Sequence, residues 1–316
     1  MDAYTQWLKQ GNEPIFEQNG VYWRAYGNGL VPASLKPEPV QLTRQQSQEL
    51  LQRSGRLLVR YFSRLSDRPT NFWYTVCAEY DFRKLPQKLR SQVRRAYKDC
   101  RVERVDPIWL SQRGYECYCA AFTEDGNTEP ESRAAFDQMC RGSLGGPFEF
   151  WGVFAGDQLV GFGKYVVGDD YVAEIVLKMD PNYADLNPNT AMQHAILSYY
   201  VAQSGKVVTI GFRSIQHDNQ SYDLLQKFGY RRIYCDLKVA YRPTLKAAVS
   251  LAYPIRTWII RFPASKWARK MRAALGQEEI RRSFHSSRKR ATQVQEPLLH
   301  RIVRSIWGNR YGTTLK

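Results

Sequence analysis

The sequence predicts an α+β fold, a mixed β-sheet flanked by helices, and three observations point to it. Between Phe148 and Leu177, three runs rich in aromatic and β-branched residues are separated by two short turn segments, the pattern of a β-meander. From there to Tyr241, helical and strand-like stretches alternate and complete the order β-β-β-α-β-α-β. Of the 316 residues, 43% are hydrophobic and 13% aromatic, enough for a packed core and too much for a disordered chain.

Taken in order, the first 40 or so residues read as short strands and turns, with Gly20 to Gly27 as a strand between glycines. Thr43 opens a helix through Leu50 and Leu51, and Gly55 stops it. Residues 56–62 and 71–77 are aromatic and β-branched strands. Leu85 to Lys98 is a helix with Pro86 in its first turn and Leu85, Leu89, Val93 and Ala96 at helical spacing. Residues 107–122 and 130–140 read as two further helices. The meander follows, with turns at Ala155-Gly156-Asp157 and Gly168-Asp169-Asp170. A helix over 189–203, a strand over 206–212, a short helix over 220–228 capped by Gly229, and a strand over 231–241 finish the body.

The net charge of +16 is unevenly placed. Residues 243–316 hold sixteen Lys and Arg against three Glu, a net +13, which leaves only +3 on residues 1–242. A nearly neutral body therefore carries a basic C-terminal arm, and the charge describes a partner of that arm. Residues 244–275 interleave Trp258, Ile259, Ile260, Phe262 and Trp267 with Arg256, Arg261, Lys266, Arg269 and Lys270. An anionic membrane surface suits that mixture, and nucleic acid is the alternative. A tail whose apolar residues dock on the body is the third reading. Truncation after Tyr241 is expected to leave a folded, soluble body.

No stretch reaches the ~20 apolar residues of a spanning helix. The opening Met1 to Trp7 has neither a basic region nor an apolar run, so the expectation is a cytoplasmic protein, peripheral to the inner face of the membrane, with six reduced cysteines. Four His with no acid at ligand spacing, and Cys117-x-Cys119 without a second pair, give no metal site.

Two stretches carry a resemblance to a known family. The hairpin over residues 151–163 and the segment Asn219-Gln220-Ser221-Tyr222-Asp223-Leu224-Leu225-Gln226-Lys227-Phe228-Gly229-Tyr230 resemble the GNAT acyltransferases, over roughly residues 148–242. Trp73-Tyr74 to Tyr80-Asp81, followed by Leu85-Pro86-x-x-Leu89-Arg90-x-x-Val93-Arg94-Arg95-Ala96-x-Lys98, looks like the Fem-type branch of that fold, which adds amino acids to peptidoglycan bridges. The resemblance implies a GNAT-like sheet in 148–242, an α/β N-terminal half in 1–147, and the basic helical arm in 243–316. It implies acyl transfer to an amine-bearing acceptor, with aminoacyl-tRNA or acyl-CoA as donor and no tightly bound cofactor.

The segment Lys178 to Thr190 departs from the acetyl-CoA-using pattern. It has no glycine to bare backbone N–H groups to a pyrophosphate, and Asp180 and Asp185 would repel one. The Fem-type branch also lacks that cradle, so aminoacyl-tRNA is the donor the departure favours. Within the resemblance, Glu174 is the candidate general base and Tyr222 the candidate general acid. Asn219 is a helix cap or ligand contact, and Arg90, Arg94, Arg95 and Lys98 are candidate substrate-binding residues. The plainer readings are a solvent-facing charge for Glu174, core packing for Tyr222 and a solvated basic face for the helix. A non-catalytic protein that keeps the fold and attaches through its arm is the alternative function.

Overall fold

The computed structural model describes residues 1–11, 13–66, 68–122, 129–212, 222–256 and 266–286. Its N-terminal part runs α1 (Ala3–Gln10), β1 (Phe16–Gln18), β2 (Val21–Tyr26), β3 (Gly29–Pro32), α2 (Arg44–Ser54), β4 (Leu58–Leu65), β5 (Trp73–Cys77), α3 (Gln87–Asp99) and β6 (Arg101–Val105). Three helices follow, α4 (Pro107–Arg113), α5 (Tyr115–Ala120) and α6 (Arg133–Arg141). The meander is β7 (Phe148–Ala155), β8 (Gln158–Val167) and β9 (Tyr171–Met179). Then come α7 (Pro188–Ile196), β10 (Val207–Phe212), α8 (Tyr222–Lys227), β11 (Arg231–Tyr241), α9 (Pro243–Ala252) and α10 (Lys266–Ser286).

Eleven strands form one sheet in the order β1-β2-β3-β4-β11-β5-β10-β9-β8-β7-β6. Most neighbours are antiparallel; β3 with β4 and β9 with β10 are parallel, so the sheet is mixed. The α+β class read from the sequence is the class observed. β11 joins the two ends of the chain: Arg231 to Tyr234 pair with β5, then Cys235 to Tyr241 pair with β4. The division at residue 147 is therefore not a division of the sheet, because β5 lies between β11 and β10.

Local chemistry accounts for the element ends. Thr43 and Gln46 exchange hydrogen bonds in a capping box that starts α2, and Gly55 ends it at φ 69°. Three expectations from the sequence need correction. Residues 3–10 are a helix rather than strand and turn, because Asp2 caps it and Tyr4 and Leu8, one turn apart, bury with Trp7 against Phe148. The single helix over 107–122 is two, broken at Gly114, whose N–H bonds the Leu110 carbonyl so closely that a Cβ would lie 2.7 Å from that oxygen. The C-terminal segment is not held apart from the body. Leu275 and Ile280 of α10 are buried, and Ile280 joins Phe62, Phe72, Val76, Ile233 and Leu237 in one apolar cluster under the sheet.

The largest cluster lies on one face, where α3 packs on α7 and α7 packs on β6, β7 and β8, with Cys77, Tyr165, Val172 and Val208 in the same cluster. Leu89, Val93 and Ala96 of α3 meet Met192 and Ile196 of α7 there. The candidate site lies within this layer.

Candidate active site

Glu174 stands where two strands part. β9 and β10 pair in parallel at only three positions, Tyr171 with Val207, Val172 with Val208 and Ala173 with Thr209. Beyond Ala173, β9 stays with β8 and β10 stays with β5, so a gap opens between them from Glu174 onward. Both strands are irregular at that level. Ile175 is an extra residue in β9 opposite the Lys164–Tyr165 step, and β10 carries an extra residue against β5, with Gly211 at φ 82°. Bulges re-aim side chains next to a strand opening.

The Glu174 carboxyl turns into a set of buried polar groups. Tyr165 Oη and Gln193 Nε2 each lie 3.4 Å from Glu174 Oε2, and Tyr230 Oη donates to Gln193 Oε1 at 2.9 Å. Tyr165, Gln193 and Tyr230 are all buried, and Glu174 itself is only partly exposed. Burial pushes the carboxyl up to about 7, against the two hydrogen bonds, which favour the ionised form. A carboxyl with that value is close to half ionised at neutral pH, the condition that suits a general base or acid.

Tyr165 reaches Glu174 because residue 163 is glycine. A Cβ there would fall 2.6 Å from the Tyr165 ring and hydroxyl. Gly163→Ala should therefore swing the ring off Glu174 and remove one bond to the carboxylate. The expected result is an alkaline shift in the pH dependence of any activity that needs ionised Glu174, at an overpacking cost of about 1–3 kcal/mol. A pH–rate profile beside a melting curve checks it.

Tyr222 lies on the same face of the sheet as Glu174. Alternate residues across the ladders put Arg232, Thr75, Cys77, Val208, Val172 and Glu174 on one side, and the Arg232 guanidinium sits 3.7 Å from the Tyr222 ring centroid. Arg232 also stacks on Trp73, 4.3 Å away. β11 and β9 are three strand spacings apart, ~14 Å, and no hydrogen bond joins Tyr222 to the Glu174 group among the described residues. Burial raises the Tyr222 phenol, opposed by Arg232. Asn219 lies outside the described residues.

The basic helix α3 packs on α7, which carries Gln193. Arg90 is partly buried, while Arg94, Arg95 and Lys98 are exposed and, among the described residues, form no ion pair. Arg94 lies 5.8 Å from the Phe82 ring centroid. Beneath it, His194 packs against Phe82, Tyr97 and Tyr80, with Nδ1 2.5 Å from Tyr80 Oη, and burial lowers its pKa. Sequence reasoning missed Tyr165, Gln193 and Tyr230 as partners of Glu174. Of these, only Tyr230 had a signal, the Phe-Gly-Tyr end of the late motif.

The glycine-free segment before α7 is a short 3-10 turn, Pro181–Leu186. Buried Asp180 caps it through the Asn182 N–H, and Asn187 enters α7 at φ 57° with Pro188 first in the helix. Pro188 offers no N–H, so this helix start presents fewer donors to an anion than a glycine loop would. Among the described residues no group of three His, Cys, Asp or Glu side chains could hold a metal ion.

No protein-family model matches the chain, and no curated protein matches it in sequence. Its fold is nonetheless similar to known structures. The C-terminal domain of an Agrobacterium fabrum protein described as a lysylphosphatidylglycerol synthetase superposes with TM-score 0.53 at 10% identity, over 82% of this chain and 92% of that one. FemX superposes with TM-score 0.51 at 9% identity, over 78% of this chain and 92% of its own. The chain shares its fold with FemX and with that synthetase domain, as the Fem-type resemblance read from the sequence implied.

Proposed function

We propose that this chain is an acyltransferase that moves an aminoacyl group from an aminoacyl-tRNA to an amine, with Glu174 as general base. The observation that carries the reading is Glu174, half-buried at the opening between β9 and β10 with its carboxyl pushed up to about 7. The acceptor nitrogen attacks the ester carbonyl, the bond from that carbon to the ribose oxygen breaks, and Glu174 takes the proton from nitrogen. Glu174 can hand that proton on to the leaving ribose oxygen; Tyr222, stacked on Arg232 of β11, stands on the same face but three strands away. The exposed cations of α3 suit the phosphates of the donor. The two similar folds agree with a transfer role: one is named for joining lysine to phosphatidylglycerol, the other is FemX.

An acetyl-CoA donor is disfavoured by the proline-bearing start of α7 and buried Asp180. The C-terminal arm is the candidate for attachment to an anionic membrane surface from the cytoplasmic side. Leu251 and Ile255, 79% and 54% exposed, support that, as does the absence, among the described residues, of a helix long and apolar enough to cross a membrane. The rest of the arm's expected features, in 257–265 and 287–316, lie outside the described residues.

Mixed aminoacyl-tRNAs labelled in the amino acid, and labelled acetyl-CoA, offered with a panel of amine acceptors, test the donor. Label passing to an amine from the tRNA and not from acetyl-CoA is the expected outcome. Transfer from acetyl-CoA alone would contradict the donor assignment, and transfer from neither would contradict the enzymatic one.

A further inference from the structure

We propose that the chain holds a pocket for a phosphate ester, built at the end of β11 and separate from the Glu174 site. A cavity of about 440 Å³ opens between α2, β4, β11, α9 and α10, within the size range of small-molecule sites. Its lining includes five cations, Arg44, Lys238, Lys246, Arg281 and Arg282, against one carboxylate, Glu278. It shares no residue with the Glu174 group and lies on β4 and β11, three strands across the sheet from β9.

Glu278 has the features of an orienting group and not of a ligand. Its side chain is 3% exposed, and it accepts from Tyr241 Oη at 3.2 Å, from Arg281 Nε and Nη2 at 2.8 and 2.5 Å, and from Arg282 Nε at 2.7 Å. The Arg282 guanidinium is further fixed 3.9 Å from the Tyr253 ring. Those contacts leave Nη1 of Arg281 and both Nη groups of Arg282 unused by Glu278, with the two side chains 34% and 43% exposed. Two guanidinium groups held in place by one buried carboxylate are ready to receive an anion, and less ordering is lost when it binds.

The remaining charges add to this. Lys238 shares Asp236, which is buried behind it, with Arg64, whereas Arg44 and Lys246 form no ion pair among the described residues. Five cations around one carboxylate leave the cavity net positive, which suits the phosphate of a monoester or of a diester headgroup. Leu42, Val239 and Val249 supply apolar wall, which a bare inorganic ion would leave unused and the carbon stem of an ester would cover. Cations converging on a cavity fit a compact phosphate; a nucleic acid strand is tracked by an open groove. The exposed Leu251 and Ile255 adjoin the α9 wall, so the ester has two sources to separate, a lipid headgroup and a soluble metabolite.

The inference does not rest on the acyl-transfer reading, and its assays read binding alone. The full chain is titrated with glycerol 3-phosphate, with phosphatidylglycerol vesicles, with phosphatidylcholine vesicles and with polyuridylate. The variants are Arg44→Glu and Lys246→Glu, both exposed and without ion pairs, and Arg113→Glu on exposed α4 as a control for net charge. We expect glycerol 3-phosphate or phosphatidylglycerol vesicles to bind, each pocket variant to weaken that binding about tenfold, and Arg113→Glu to leave it within twofold. Vesicle binding sensitive to the pocket variants assigns a lipid headgroup; glycerol 3-phosphate binding without vesicle binding assigns a soluble ester. No binding of either, equal loss in all three variants, or retention of polyuridylate alone overturns the pocket.

Discussion

Glu174→Gln is expected to lower transfer by ~10²–10⁴-fold, the range a positioned general base contributes, while making the folded protein more stable at pH 8. Glutamine can still accept from Tyr165 and Gln193, so the buried set keeps its shape. It cannot take a proton. The stability effect follows from linkage: the folded carboxyl titrates at about 7, above its ordinary 4.5, so the folded state binds the proton more tightly than the unfolded one. Below about 4.5 the two states are equally protonated and the residue costs nothing. As pH rises toward 7 the unfolded chain gains by ionising, and above 7 the full cost is present. For a partly exposed residue that cost is on the order of 2 kcal/mol. Melting curves at pH 4 and pH 8 for both proteins should show the variant gaining mainly at the higher pH, alongside its lost activity.

Truncation after Tyr241 is expected to unfold the body rather than release it. Val249, Leu275 and Ile280 are buried, and Tyr241 gives its hydroxyl to Glu278. Losing the burial of three such side chains removes about 6 kcal/mol, comparable with the whole stability of a domain. Chemical denaturation of the 1–241 chain should show no cooperative transition, and a stop after Ser286 should retain one. A soluble, cooperative 1–241 body would show that α9 and α10 add little. The basic composition that marked residues 243–316 as an arm concealed this, because the buried positions Leu275 and Ile280 are only two of the residues in a helix otherwise rich in charge.

Periodicity made the sheet legible. The meander, β10, β11 and α3 lie within a few residues of where the pattern put them, since each has an apolar face that must be covered. What stayed hidden depends on non-local packing. Asp2 at the start of α1 is a cap signal, but the helix matters only because Trp7 meets Phe148 far along the chain. The strand order is equally non-local: nothing in residues 71–77 says that β5 will sit between β11 and β10.

The candidate site was half legible. Glu174 was legible only through the family resemblance, which puts this mid-strand residue at the splayed edge of the sheet, and its alternative, a solvent-facing charge, does not describe a carboxyl held between Tyr165 and Gln193. Those partners were not legible. Gln193 is one polar residue of an ordinary helix, and Tyr165 becomes a partner only through the bulge at Ile175 and the missing Cβ at Gly163.

The pH dependence of aminoacyl transfer by the intact protein tests the central claim most directly. With Glu174 as base, the rate should rise with pH and level off above a midpoint near 7, the ionisation of its carboxyl, and Glu174→Gln should show no such step. An unchanged midpoint in the Gln variant would place the base elsewhere and contradict the account.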